Sequence, residues 1–263
     1  QADELKETDE LKPLFEIAKK FEQKRKSSGS VKIQLPEVHI KIENSEEYKN
    51  KVTIFTTEHT ESSEVVKEFM LMAGEAAARF AFKNQIPFPF ISQDEPDIPK
   101  EIPEGLAGQY RLRRCMKSRR VGVTPSMHCS LGLAMYSQVT SPLRRYMDLI
   151  AHQQLRAFID GKKLIPKDEV LERISCGDAG ISTAVKADRE SCLHWKLVYL
   201  TQNLEWQGKA IAVEKKQKQT VFLIPELAME TILNNEKDYS LNEEITVRVG
   251  KISIPDLSVD FIA

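Results

Sequence analysis

The stretch Thr140-Ser141-Pro142-Leu143-Arg144-Arg145-Tyr146-Met147-Asp148-Leu149-Ile150 contains the strongest structural signal in the chain. Ser141 is a favourable N-cap residue and Pro142 suits the first helical position, so a helix is predicted to start at Ser141. Arg144 and Arg145 would then lie in the first turn, where the helix dipole disfavours each cation by a few tenths to about 1 kcal/mol. We therefore expect an anion beside them. Phosphate fits best, because free backbone N–H groups and a guanidinium can share its oxygens.

The overall charge gives no indication of a nucleic-acid partner, since 38 basic residues face 39 acidic ones among 263. The hydrophobic content of 41% is enough for one large domain or two ordinary ones. Binding of nucleic acid would have to come from local clustering of charge. Segment 109–122, which includes Arg119 and Arg120, has six Lys or Arg residues and no acidic residue.

The cysteines predict neither a zinc site nor a disulfide framework. All four are widely spaced and form no CxxC pair: Cys115, Cys129, Cys176 and Cys192. Reduced thiols in a cytoplasmic compartment fit this usage. No apolar run approaches the roughly 18 residues of a membrane span, and no charged-then-apolar leader opens the chain. We expect a cytoplasmic protein with no membrane partner.

Hydrophobic periodicity predicts the elements of the first 104 residues. An amphipathic helix is expected over 2–26 and a second, longer helix over 62–84. Two strands are expected between them, over 31–42 and 51–57, with a polar turn around Asn44–Asn50. Prolines over 86–104 make regular structure improbable there, so this stretch is predicted to be an extended surface crossing.

The second half is predicted to change from helices to strands. The helix that starts at Ser141 should end near Asp160, and another should run from about Lys167 to Glu205, with a break near Gly177–Gly180 left open. Short β-branched runs after Trp206 indicate a small OB-type barrel of about five strands, with the insert Glu226–Asn242 partly helical. These runs are Gly208–Val213, Thr220–Ile224, Glu244–Ile254 and Ser258–Ile262.

An OB-type barrel commonly binds single-stranded nucleic acid through a basic groove and aromatic faces. The residues able to supply them are Lys209, Lys215, Lys216, Lys218, Phe222 and Arg248. The alternative for each is a solvated charge or a core phenylalanine.

Two blocks resemble the hallmark of the ribonuclease II/ribonuclease R (RNB) exoribonucleases. They are His128–Tyr136 and Thr140–Leu149, the latter followed by His152. In addition, Val66–Ala73 is similar to the family's glutamate-bearing helix. Ala187–Glu190 is similar to its late Glu-Arg pair, with Asp188 where the family usually has Glu.

This resemblance implies an α+β fold in two parts. Residues 1–205 would be the C-terminal portion of an RNB catalytic domain of mixed helices and sheet, and residues 206–263 an OB-type RNA-binding barrel. The activity implied is processive 3′-to-5′ hydrolysis of single-stranded RNA to nucleoside 5′-monophosphates with Mg²⁺ as cofactor.

The metal ligands that the resemblance implies are not found in this sequence. Family members carry an Asp-x-Asp-Asp cluster upstream, and hard oxygen ligands of this kind hold Mg²⁺. Asp3, Asp9 and Glu10 do not reproduce that pattern, so no residue here is assigned as a metal ligand. The Mg²⁺ ligands are expected upstream, and this chain alone is expected to be inactive. It would be a fragment, a partner of its own cleaved N-terminal half, or a degenerate relative.

Within the family's mechanism Arg144 would clamp the phosphate, the alternative being an arginine–carboxylate bridge in the core. For Arg145, a contact to the outer RNA backbone and a structural salt bridge fit equally well. Structural roles are expected for Tyr146 and Asp148, with Asp148 pairing a neighbouring basic group.

Five further residues resemble RNA contacts of the family or lie beside its motifs. Glu68 would lie near the RNA end, although Lys67 replaces a commonly acidic neighbour. Asp188 and Arg189 would contact the RNA or form a surface ion pair. Tyr136 and His128 would stack on bases or belong to the core.

A different class of function stays open: a non-catalytic RNA-binding relative or regulatory module of the same fold. In that case the barrel and segment 109–122 would bind single-stranded RNA without hydrolysing it.

Overall fold

The structure is a computed structural model that describes residues 10–44, 49–234 and 238–263. The part of the predicted first helix before residue 10 and most of the turn Asn44–Asn50 lie outside these ranges. The described helices are α1 Lys12–Ser27, α2 Glu61–Lys83, α3 Gly105–Cys115, α4 Tyr146–Ile159 and α5 Lys167–Gln202. The strands are β1 Val38–Glu43, β2 Lys51–Thr56, β3 Phe90–Gln93, β4 Arg119–Gly122, β5 Gln207–Lys215, β6 Gln219–Ile224, β7 Met229–Asn234, β8 Glu244–Ser253 and β9 Ser258–Ile262.

The chain forms two compact units, each assembled from three segments. The first contains residues up to 32, 59–97 and 116–182, and the second contains 33–58, 98–115 and 183–263. The predicted division into 1–205 and 206–263 is drawn on different grounds and stays a prediction. No helix in the described ranges has the length and apolar character needed to cross a membrane.

The core of the first unit forms where small residues of α2 allow close packing. Ala78 and Ala81 are fully buried against Phe88, Phe90 and Ala151 of α4. The helix begins at Thr60, whose hydroxyl oxygen accepts the Ser63 N–H at 3.2 Å and so satisfies one of the free donors of the first turn.

A second cluster of the same unit joins α4 to the first half of α5. Met147 and Ile150 pack there against Val170 and Ile174.

The proline-rich stretch contains a strand that the sequence did not predict. Phe90–Gln93 pairs antiparallel with Arg119–Gly122, with Ile91 opposite Val121. The prediction of no regular structure over 86–104 was wrong at these four residues. They carry no proline, and their side chains are largely buried, so a paired strand satisfies their backbone groups.

The helix that was predicted to start at Ser141 begins five residues later, at Tyr146. Residues 141–145 form a turn in which the N–H groups of Arg144 and Arg145 donate to the Ser141 carbonyl at 3.2 and 3.0 Å. Arg145 is the N-cap residue with extended backbone angles, φ −122° and ψ 116°. The predicted start was wrong because Ser141 does not cap the helix: its N–H donates to the buried Asp148 carboxylate, and residues 141–145 are held as a turn. Both arginines thereby lie outside the helical turns that disfavour them.

The second unit contains the hairpin β1–β2 and a five-stranded antiparallel sheet in the order β7-β6-β5-β8-β9, nearly closed into a barrel. Its core includes Phe222, Ile224 and Val247, all fully buried. Register shifts at Ala212/Glu214 and Val249/Ile252 mark bulges, which bend strands and help a short sheet to close.

The sequence raised two irregularities in the second half of the chain, a partly helical insert and a break in the long helix. The insert Glu226–Asn242 was predicted to be partly helical, but Met229–Asn234 forms strand β7, whose first residues alternate between buried and exposed. That prediction was wrong over β7, because the period-2 pattern there is too short to stand out from its polar flanks. Helix α5 runs unbroken through Gly177 and Gly180. A side chain at Gly177 would meet Tyr146 and Met147 at 2.8 Å, so this glycine permits close helix packing.

Candidate functional site

Arg144 lies in the turn before α4 with its side chain exposed. Within the described ranges its guanidinium makes no hydrogen bond or ion pair. Its neighbour Leu143 is fully exposed as well. An arginine presented this way is available to an external anion.

Arg145 is partly buried and is held by Asp148, which is completely buried. The guanidinium donates to the Asp148 carboxylate at 2.7 Å and to the Thr140 hydroxyl at 3.1 Å. The same carboxylate oxygen accepts the Ser141 N–H at 2.8 Å. Arg145 therefore forms a structural salt bridge, which is one of the two roles predicted for it. Asp148 pairs a basic group, as predicted.

Glu68 is buried and forms an ion pair with Arg25 of α1. Arg25 donates through Nε to Glu68 Oε2 at 2.9 Å, through one terminal nitrogen to Glu68 Oε1, and through the other to the Leu131 carbonyl at 2.9 Å. Lys67 Nζ lies 3.6 Å from the same carboxylate. Glu68 thus ties α2 to α1 and to the loop that carries the His128–Tyr136 block.

Arg25 is a site-forming residue that the sequence did not reveal. It lies in the basic end of α1 among Lys24 and Lys26, and nothing in that run distinguishes it. The signal that could have found it is helical phase, because Ala18, Phe21 and Arg25 lie on the buried face of α1.

His128 and Tyr136 pack edge to face, with ring centroids 5.9 Å apart. Burial lowers the pKa of His128 to about 4, and the nearby Arg119 charge acts in the same direction. Burial raises the pKa of Tyr136, and the charges of Arg145 and Asp148 also reach its hydroxyl. The Tyr136 ring lies against Gly74 of α2, where an added Cβ would overlap the ring and the Ser137 carbonyl.

The basic segment 109–122 is divided between the two units and is largely neutralised within the chain. Its residues up to Cys115 belong to the second unit and the remainder to the first. Arg119 reaches Asp178 at 3.5 Å, and Arg120 pairs with Asp94. The other ion pairs are Arg113–Glu230, Arg114–Glu214 and Lys117–Asp97.

The remaining predicted site residues belong to the second unit. Asp188 and Arg189 are exposed on α5. Lys215 pairs with Asp238 at 2.8 Å, and Lys216 is exposed beyond the end of β5. Phe222, considered as an aromatic face for bases, is instead fully buried and packs edge to face with Tyr239 at 5.1 Å. The core alternative holds for that residue.

The part of the chain that the structure describes contains no group of three or more His, Cys, Asp or Glu side chains placed to bind a metal ion. Glu10, one of the early acidic residues, is exposed before α1, and Asp3 and Asp9 lie outside the described ranges. The described residues therefore do not fit a Mg²⁺ ion.

Residues 1–102 and 104–161 match the family model described as the RNB domain. The chain is 36% identical over 250 residues to an uncharacterized ribonuclease of Synechocystis sp., an alignment that covers 92% of this chain and 37% of that protein. The chain spans about a third of the length of the first curated relatives it matches.

Solved structures share the fold at low sequence identity. An active-site mutant of the Dss1 exoribonuclease from Candida glabrata is 22% identical with a TM-score of 0.79, covering 97% of this chain and 35% of that one. Mycoplasma genitalium RNase R, in complex with ribose-methylated single-stranded RNA, is 15% identical with a TM-score of 0.75, covering 95% and 49%. Yeast Ssd1, described as a pseudonuclease, is 16% identical with a TM-score of 0.62, covering 87% and 33%.

Proposed function

Because the chain belongs to the RNB domain family, we propose that it is part of a processive 3′-to-5′ exoribonuclease that hydrolyses single-stranded RNA to nucleoside 5′-monophosphates. Ribonuclease relatives support this activity, and the RNA complex of the similar RNase R structure supports single-stranded RNA as the partner. The same proposal includes a reducing, cytoplasmic location and, as one form of the protein, pairing with a cleaved N-terminal half. The four cysteines, all free thiols, agree with such a compartment.

The observation that carries the proposal is the contrast between Arg144 and Arg145. Arg145 is engaged by Asp148 and Thr140, whereas the exposed Arg144 guanidinium has no partner in the described ranges. A guanidinium can bind two phosphate oxygens at once with fixed geometry. Placed beside the scissile phosphate, it stabilises negative charge that grows on those oxygens as the bond to the leaving group breaks.

Mg²⁺ is the cofactor of the proposed reaction, and it would supply an activated water and charge stabilisation at phosphorus. Because the described residues do not fit the ion, we place its ligands outside them, on an acidic cluster upstream of this sequence. The residues of this chain bind and orient the RNA. The barrel, which we interpret as OB-type, would bind the RNA strand through Lys215 and Lys216. Helix α5 would add contacts from the exposed Asp188 and Arg189.

The test replaces Arg144 in the full-length protein by Ala and by Lys. We expect Arg144→Ala to lower the rate of mononucleotide release at saturating RNA by about 100-fold or more, in the range for loss of one preorganised charge-stabilising group. Dissociation constants for a labelled single-stranded RNA should rise less than about fivefold. Arg144→Lys should restore only part of the rate, because an ammonium keeps the charge and loses the fork.

Arg156→Ala is the matched control, since Arg156 is another exposed arginine of the same unit, at the far end of α4. It should leave rate and affinity unchanged. Equal losses of turnover and binding in Arg144→Ala would reduce Arg144 to a general backbone contact and contradict the clamp.

A non-catalytic RNA-binding relative or regulatory module is the second candidate, and the likeness to the pseudonuclease Ssd1 favours it. The two candidates differ in one measurement on the full-length protein. An exoribonuclease releases mononucleotides from single-stranded RNA when Mg²⁺ is added, whereas the second candidate binds the same RNA and leaves it intact.

A further inference from the structure

The second unit contains a cavity of about 440 Å³ that the proposed function does not use. It is bordered by the end of the hairpin β1–β2, by α5 and by the barrel. Its lining includes Phe55, Glu58, Tyr199, Trp206, Glu226 and Leu227. The volume lies within the range of small-molecule sites.

Three aromatic side chains line this cavity. Phe55 is 51% exposed, and Tyr199 and Trp206 are partly buried. Trp206 is fixed by Phe261, which packs against it at a centroid distance of 5.9 Å. No Lys or Arg of the described chain lies over any of these three rings. Tyr199 and Trp206 also pack against the barrel core, so it is the part of each ring that lines the cavity that offers negative electrostatic potential to a cation.

Two carboxylates accompany the rings, and one of them, Glu226, is attracted by the nearby charge of Lys209 without bonding to it. Glu58 and Glu226 are exposed and form no ion pair within the described ranges. The neighbouring base Lys209 is engaged by Glu244 at 2.9 Å. No Lys or Arg is among the residues that line the cavity.

The Trp206 ring and the Glu226 carboxylate both lie close to Gly208. A Cβ built on this residue would lie 2.5 Å from Trp206 Cη2 and 3.1 Å from Glu226 Oε2. The absence of a side chain there lets both approach the backbone of β5 together. Aromatic faces beside free carboxylates attract an organic cation and repel a phosphate.

We propose that this cavity binds a small organic cation, an ammonium or guanidinium group carried on an alkyl chain. The free form of such a cation is a polyamine, and the protein-borne form is a lysine or arginine side chain. The proposal is independent of the exoribonuclease activity, because it needs neither Arg144 nor RNA.

Calorimetric titration of the full-length protein with choline, N-acetyl-arginine amide and spermidine tests the proposal. At least one should bind saturably. The neutral isostere of choline, 3,3-dimethylbutanol, should bind at least tenfold more weakly than choline if choline is the cation that binds. Spermidine binding more tightly than the arginine derivative indicates a free polyamine, and the reverse indicates a side chain.

Substitutions locate the binding in the cavity. Glu58→Gln and Glu226→Gln should each weaken the bound cation about fivefold, Phe55→Leu about threefold, and the double glutamine variant should abolish measurable binding. All three positions are exposed, so folding should be preserved, as checked by circular dichroism. Glu205→Gln, at another exposed carboxylate of the same unit, should have no effect. The proposal is overturned if no cation binds saturably, or if binding survives in the double variant.

Discussion

Asp148 fixes the turn that carries Arg144, although it does not itself reach the exposed surface. One of its oxygens accepts both the Ser141 N–H and the Arg145 guanidinium, and within the described chain its other oxygen and Arg145 Nε are buried without a partner. The carboxylate is thus fully buried and, among the described residues, bonded through one oxygen only. Such a group is costly to disturb, because removing one member leaves the other uncompensated.

We expect Asp148→Asn to lower the free energy of unfolding by about 2–3 kcal/mol, since Asn keeps an acceptor for Ser141 but no charge for Arg145. Urea denaturation of the full-length protein measures the change. Asp160→Asn, at an exposed carboxylate paired with Lys162, should cost less than about 0.5 kcal/mol. Similar losses at both positions would show that burial of the Asp148–Arg145 pair contributes little.

His128 should make stability depend on pH in a defined window. Its pKa is about 4 in the folded protein, against an ordinary value of 6.5, because burial disfavours the charged ring. Above pH 6.5 neither state binds the proton and the full stability is present. As the pH falls from 6.5 towards 4, only the unfolded state takes up the proton, so stability is lost, by about 2 kcal/mol at pH 5.

His128→Gln should remove that part of the pH dependence, seen as a smaller difference between urea midpoints at pH 7 and pH 5. His59→Gln, at an exposed histidine before α2, is the control. An unchanged difference in His128→Gln would mean that the ring is protonated as easily in the folded state as in the unfolded one.

At the scale of secondary-structure elements, two glycines in helices allow the effect of helix propensity on stability to be measured apart from the effect of packing. Gly74 of α2 faces the Tyr136 ring and the Ser137 carbonyl, whereas a Cβ at Gly180 of α5 would meet nothing within 4 Å. Alanine should stabilise a helix over glycine by about 0.5–1 kcal/mol where there is space. At Gly74 the added carbon would force apart α2 and the 136–137 segment.

We therefore expect Gly180→Ala to raise the free energy of unfolding by about 0.5–1 kcal/mol and Gly74→Ala to lower it by about 1–3 kcal/mol. Thermal melting of both variants measures the difference. If Gly74→Ala were neutral or stabilising, the close approach of Tyr136 to α2 would not be present in solution.

The elements predicted best from the sequence are those with long, regular patterns. Helix α2 was predicted over 62–84 and spans Glu61–Lys83, and four of the barrel strands lie where β-branched runs predicted them. Strands β3, β4 and β7 and helix α3 were missed; the three strands have short patterns, and their pairing is tertiary. The start of α4 was misplaced because a local capping signal at Ser141 competed with a buried carboxylate seven residues on, whose burial no local pattern reports.

The candidate site was predictable only in part, for the same reason. The motif drew attention to both arginines, but it does not say which of them pairs with Asp148, and the structure shows that Arg145, three residues before Asp148, is the one engaged. The role of Arg25 depends on Glu68, 43 residues away, and on a carbonyl 106 residues away. Contacts over such separations leave no signal in a single sequence.

For the whole molecule, the near-balance of charge means that RNA must compete with the protein's own carboxylates. Five of the six basic residues in segment 109–122 already form ion pairs, most of them exposed and each worth about 0–1 kcal/mol. Phosphates can replace partners held so weakly. Affinity for single-stranded RNA should fall with salt, because each phosphate contact releases counterions.

Replacing Arg119 and Arg120 together by Ala should reduce the slope of log affinity against log salt concentration by about 1.4. Filter binding of single-stranded RNA by the full-length protein between about 50 and 200 mM KCl covers the useful range. Replacing Lys162 and Lys163, exposed after α4, should leave the slope unchanged. An affinity independent of salt would contradict RNA binding through phosphate contacts.

The bulged, nearly closed barrel also decides where the molecule is open to aggregation. Its outer strands β7 and β9 do not pair with each other but lie close together, so an incoming chain has little room to add to either edge. The hairpin β1–β2 lacks that protection, since it is a sheet of only two strands with Ile42 and Phe55 exposed. At high concentration, strand-by-strand association should begin at this small hairpin and spare the barrel, which holds most of the β-structure.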